Sequence, residues 1–141
     1  MSEEEKPVAK ANPPGSYQDL TAWQKGITLV KLVYRFTATL PAEEKYGLVS
    51  QMRRAAVSVP SNLAEGQARK STREFVQFVS HAEGSLAELE TQAVLCVELE
   101  HTTQEQAGPM LGAITELRKI LNGLRRSLIA RLRALPRLQS R

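Results

Sequence analysis

Apolar residues recur along this chain at intervals of three and four, the spacing that lines one face of an α-helix. Leu20, Trp23, Ile27, Val30 and Tyr34 make a first stripe, extended by Phe36 and Leu40 and stopped at Pro41. Leu48, Met52, Ala55, Val59 and Leu63 make a second, with Gly66 read as its terminator. After a short basic link, Ser71-Thr72-Arg73-Glu74 reads as a capping box, in which hydroxyl and carboxylate satisfy free backbone N–H groups. It opens the longest stripe, Phe75, Phe78, Val79, Ala82, Leu86, Leu89, Ala93 and Cys96, which ends near Glu100-His101.

Thr102-Thr103-Gln104-Glu105 is a second capping box. Gly108-Pro109 follows it and permits either a late helix start or a kink. Met110, Ile114, Leu117, Leu121, Leu124, Leu128, Leu132 and Leu135 then run close to a heptad seam, ended by Pro136. Four amphipathic helices with short connections predict an all-α fold, an antiparallel up-down-up-down four-helix bundle. The expected organisation is a disordered N-terminal arm over 1–16, the bundle over 17–135 and a basic C-terminal tail over 136–141.

Composition agrees and narrows the class. The chain of 141 residues is the size of one domain, and its 5% of aromatics argues against a base-stacking RNA platform. One cysteine, Cys96, excludes an internal disulfide and a cysteine-rich zinc site, and suits a reducing, cytoplasmic setting. No apolar run approaches a membrane span, and the acidic, Pro-rich start does not read as a signal peptide.

The net charge of +4 conceals an uneven distribution. Residues 51–75 carry five basic and two acidic side chains, whereas residues 76–116 carry seven glutamates and no Lys or Arg. Residues 117–141 hold eight basic residues and no acid. Such blocks fit a nucleic-acid surface, or equally complementary faces within one bundle or between subunits. Arg118, Lys119, Arg125, Arg126, Arg131, Arg133 and Arg137 are the candidate phosphate contacts, with Arg141 beyond them. Arg53, Arg69, Lys70 and Arg73 would add to that charge.

One stretch breaks the helical pattern. In QMRRAAVSVPSNLAEGQAR a proline interrupts a helix rich in small residues, and Arg54, Ser58, Asn62 and Glu65 fall at helical spacing. A catalytic cluster of Arg54, Asn62 and Glu65 is one reading. However, Arg54 and Glu65 would stand roughly 16 Å apart along a straight helix, too far to share one reacting atom. An assembly or structural face that includes Gly66 is the expected role, bordering the apolar stripe. Gly84-Ser85 in the third helix predicts a close helix–helix crossing. His81 and His101 are not spaced as metal ligands, and Cys96 falls on an inward stripe, so no catalytic, cofactor or metal site is expected.

The segment YGLVSQMRRAAVSVPSNLAEGQAR, followed by EFVQF and GSLAELETQ, resembles the bacterial four-helix-bundle proteins called 23S rRNA intervening-sequence proteins. Trp23-Gln24 and Leu121-Asn122-Gly123-Leu124 extend the resemblance over about 17–128. It implies a left-handed bundle that assembles into a ring, commonly a homopentamer. It also implies kinship in fold with the accessory variability determinants of diversity-generating retroelements, basic pentamers that associate with reverse transcriptase and nucleic acid. The partners expected on this ground are further copies of the chain, RNA or DNA, and a reverse transcriptase, with no catalytic residues implied. The alternative is a protein-interaction scaffold whose charge blocks serve only its own assembly.

Overall fold

The computed structural model describes residues 16, 17 and 20–134. Most of the expected arm and the whole basic tail, Arg137 included, lie outside the described residues. Four helices carry the fold: α1 (Thr21–Thr37), α2 (Leu48–Ala68), α3 (Thr72–Glu98) and α4 (Gln104–Ala134), with a single 3-10 turn over Ala42–Glu44 between the first two. Among the described residues there is no strand.

Contacts show how the helices run. Ser58 of α2 meets Ser85 of α3, whereas Met52, earlier in α2, meets Cys96, later in α3. Arg118 pairs with Glu90, and Arg125, further along α4, pairs with Glu83, further back along α3. Gly26 packs on Pro60, and Thr37 meets Arg53. Each consecutive pair is therefore antiparallel. Contacts of α1 with α4 close the circle, giving the expected up-down-up-down bundle.

The inward stripes of α2, α3 and α4 are those read from the pattern. Leu48, Met52, Ala55, Val59 and Leu63 are all buried, as are Phe75, Val79, Ala82, Leu86, Leu89, Ala93 and Cys96, with Phe78 half-buried. On α4 the seam from Met110 to Leu121 and at Leu128 is buried, Leu124 and Leu132 are half-buried, and Leu135 lies outside the described residues.

Helix α1 differs from expectation. Its core face is Ala22, Gly26, Leu29 and Val33, while Trp23, Ile27 and Val30 are half-buried and Tyr34 is 43% exposed. The helix is apolar on two adjacent faces, and the face with the smaller residues wins because it lets α1 approach α2 closely. A Cβ placed on Gly26 would stand 3.4 Å from the Pro60 ring.

Three other local readings change. Gly66 does not end α2, which continues to Ala68. It is buried against α3, where a Cβ would come within 2.7 Å of Phe78 Cβ and 2.8 Å of Phe75 Cδ1, so the position takes glycine. Gly84, by contrast, is exposed with nothing within 4 Å, so the crossing belongs to Ser85, not to the glycine. The α4 cap is Thr103, one residue later than read, whose Oγ1 accepts the Gln106 N–H at 3.1 Å. The helix thus starts before Gly108-Pro109 and includes Pro109. Ser71 caps α3 as expected, its Oγ accepting the Glu74 N–H.

One end of the bundle is tied across two connections. Glu44 Oε1 accepts the Leu48 N–H at the start of α2, and Oε2 contacts His101 Nε2 at 2.8 Å. The α3 terminus feeding His101 closes with a Schellman motif. Glu100 N–H donates to Val97 O and His101 N–H to Cys96 O, with Glu100 in the left-handed region at φ 62°. The Leu48 N–H, and then His101, hold the Glu44 carboxyl below its ordinary value of 4.5. Nearby, burial pushes the Cys96 thiol up to about 11, so it packs as a small apolar residue with Sγ 3.7 Å from Met52 Sδ.

Two outcomes follow. Gly66→Ala forces α2 off the two phenylalanines and should destabilise the bundle by about 1–3 kcal/mol in urea unfolding, despite alanine's better helix propensity. For Glu44 the folded carboxyl is the stronger acid, so its contribution is present at neutral pH. It is lost as pH falls from the ordinary value of 4.5 toward the depressed folded one. The gap in urea midpoint between wild type and Glu44→Gln should therefore narrow as pH drops below 4.5.

Candidate nucleic-acid interface

The cations of α4 divide by the side of the helix on which the heptad pattern places them. Core residues Met110, Ile114, Leu117, Leu121 and Leu128 fix the inward direction. Arg118 and Arg125, each one turn or less from that seam, lie toward α3. There Arg118 Nη2 pairs with Glu90 Oε1, and Arg125 Nε pairs with Glu83 Oε1 at 2.9 Å while Nη2 also donates to Asn122 Oδ1. Part of the glutamate block on α3 is thus neutralised within the bundle. On the other flank Lys25 of α1 meets Glu116 of α4 at 3.4 Å.

Lys119, Arg126 and Arg133 behave differently. They follow one another at seven-residue intervals, all three are exposed, and none has an acidic partner among the described residues. Seven residues are nearly two turns, so the three heads form one outward row. Arg131 is exposed as well. Of the seven cations singled out in the sequence, the fold engages two in pairs, leaves four on the surface, and Arg137 lies outside the described residues.

The interrupted stretch of α2 also divides. Arg54 and Glu65 point away from the core and are exposed, and Glu65 joins Arg69 at 3.6 Å within its own helix. Ser58 and Asn62 turn toward α3: the Ser58 and Ser85 hydroxyls lie 2.8 Å apart, and Asn62 Nδ2 donates to Ser58 O and Oγ. The four residues lie within an arc of about 80° around α2, with Arg54 and Glu65 on its outer edge and Ser58 and Asn62 on its α3 edge. Arg69 stacks over the Phe78 ring at 4.9 Å.

Sequence reading gave Arg53 to the positive surface, and the fold uses it otherwise. Its Nε donates to the buried Thr37 hydroxyl at 2.9 Å, and its guanidinium covers the Tyr34 ring at 4.4 Å, pinning α1 to α2. Thr37, buried at the end of α1, passes that bond on to Val33 O. The available signal was an arginine facing an α1 C-terminus that ends in Thr37, visible only once the two helices are aligned. Likewise unforeseen, Gln92 is buried at the α2–α3 seam, its Nε2 reaching Glu88 Oε2 and Gln51 Oε1. Among the described residues no group of three or more His, Cys, Asp or Glu could hold a metal ion, and no helix is long and apolar enough to cross a membrane.

Residues 18–123 match the family model described as 23S rRNA-intervening sequence protein. The chain belongs to that family. A crystal structure of a protein of unknown function from the S23 ribosomal protein family of Bacteroides thetaiotaomicron VPI-5482 has the same fold, with a TM-score of 0.69 and 22% identity. The match covers 74% of this chain and 97% of that one. No protein with a curated description matches in sequence. Within this family member, the residues that carried the resemblance serve packing at many points: Pro60 on Gly26, Ser58 on Ser85, Gly66 under Phe75 and Phe78, Arg53 across α1.

The Arg125–Glu83 pair is partly exposed, with side chains 35% and 21% accessible, so solvent screens it. A double-mutant cycle with Arg125→Ala and Glu83→Ala should give a coupling of about 0.5–1 kcal/mol that shrinks in molar salt.

Proposed function

We propose that this family member is a non-catalytic, self-assembling helical bundle that holds nucleic-acid backbone along α4 without reading its sequence. It serves as an accessory to a nucleic-acid enzyme, with reverse transcriptase the partner class that the family resemblance implies and a pentamer the implied assembly. The observation that supports the reading is the row of Lys119, Arg126 and Arg133, exposed and without acidic partners, while neighbouring arginines are neutralised by α3. From Lys119 to Arg133 the row spans about 21 Å. Duplex DNA carries one charge per about 1.7 Å of axis, so the row passes on the order of ten phosphates. Guanidinium and ammonium groups spaced along a rod meet such a backbone through counterion release, and base edges play no part. Several copies in one assembly would add weak contacts through effective concentration.

A second reading, a scaffold that binds protein and uses its charge blocks only for its own folding and assembly, draws on the Arg118–Glu90 and Arg125–Glu83 pairs. Salt-titrated binding to mixed-sequence RNA and DNA separates the two. Replacing Lys119, Arg126, Arg131 and Arg133 together by Gln should lower the slope of log affinity against log salt by about 3–4 per engaged protomer. Arg118→Gln with Arg125→Gln should change it by less than about one. Absence of binding at low salt, or a slope that the fourfold variant leaves unchanged, assigns the protein to the scaffold reading.

A further inference from the structure

Among the apolar surfaces that the described residues leave open, two carry opposite charge. The first is the groove left between α1 and α2 when α1 buries its small-residue face. Trp23, Ile27, Val30, Val57, Pro60 and Ala64 line it, and its volume is about 270 Å³. Helical spacing sets two cations at its edge: Lys31, one turn beyond Ile27 on α1, and Arg54, three residues before Val57 on α2. Both are exposed and have no acidic partner among the described residues. The second surface is a ridge on the outer side of α3, where Leu95 is 42% and Leu99 54% exposed. Exposed Glu88 and Glu98 flank it, in a stretch that contains no Lys or Arg at all.

Charge decides how these surfaces can be used. A groove-to-groove contact offers Lys31 and Arg54 no acid beside the groove but Glu65, which Arg69 already holds, and a ridge-to-ridge contact sets glutamates against glutamates. Like charges facing each other across an interface disfavour both. Groove against ridge joins apolar to apolar and sets Lys31 and Arg54 opposite Glu88 and Glu98. We infer that the α1–α2 groove of one copy receives the Leu95–Leu99 ridge of a second copy, in a heterologous contact. This inference rests on the self-assembly half of the proposed function and supplies its surfaces. A contact between two different patches leaves one groove and one ridge free at the ends, so it propagates head to tail and closes into a ring or runs on as a filament. The row on α4 belongs to neither patch, and every copy keeps it accessible.

Mixing two single variants tests the arrangement. Val57→Glu spoils the groove and Leu99→Glu the ridge, at positions 40% and 54% exposed, so the isolated chain should keep its helix content by circular dichroism. By light scattering, wild type should exceed the 15.6 kDa chain mass severalfold, and each variant alone should fall to a monomer. The intact ridge of Val57→Glu should then enter the intact groove of Leu99→Glu, giving 1:1 dimers and nothing larger. As an independent readout, Arg54→Glu should weaken assembly, and adding Glu98→Arg in the same chain should recover it. A mixture that stays monomeric overturns the pairing of these surfaces, as does a Leu99→Glu variant of undiminished mass. Wild type that is monomeric at micromolar concentration overturns self-assembly itself, whereas wild type that assembles while both variants do too overturns only the surfaces assigned here.

Discussion

Close approach of backbones on both sides of α2 is the constraint from which the rest of the bundle follows. On one side Gly26 admits the Pro60 ring, and on the other Gly66 admits two phenylalanines of α3. Ala55 and Ala56 between them are buried as well. A helix faced with small residues gains little apolar area per side chain, yet it lets its neighbours' larger groups reach a shared core at interior density. Once α1 has been drawn in on its small face, its larger residues are left at the rim. The apolar groove is a by-product of tight packing elsewhere.

Polar groups along α2 serve the same packing. Proline removes a donor from the helix interior, and here its ring becomes a packing surface for α1. Ser58, Asn62 and Ser85 satisfy one another where α2 and α3 cross. Arg53 spans the opposite crossing with a charge-assisted bond to a buried hydroxyl. Such a motif resembles a catalytic constellation in one dimension because it concentrates polar residues in a helix, but in three dimensions its members face different neighbours.

Periodicity made the helices, their order and three of the four core faces legible, since each stripe is a property of one helix alone. What it could not resolve were choices made between helices. Two faces of α1 have almost equal apolar spacing, and only the presence of Pro60 opposite Gly26 selects between them. Gly66 looked like a terminator because terminators are local, whereas its reason is a pair of rings on the next helix. The α3 end lacks glycine and uses Glu100 in a conformation that favours glycine, so it gave no local signal of the bonds that close it. For the basic surface, the sequence showed the charge but not its division into paired and unpaired sets, which depends on which flank of α4 meets α3.

The spacing of Lys119, Arg126 and Arg133 links surface to interior in a further way. A seven-residue repeat drifts by only about 20° per repeat on a straight helix, so the cations trace a nearly axial rail, kept in phase with the leucines beneath. Inserting one residue between Lys119 and Arg126 would rotate everything after it by about 100°. The rail would break, and Leu128 would leave the core in the same stroke. Length variation within α4 is thereby barred by two registers at once, and drift in this helix is confined to substitution.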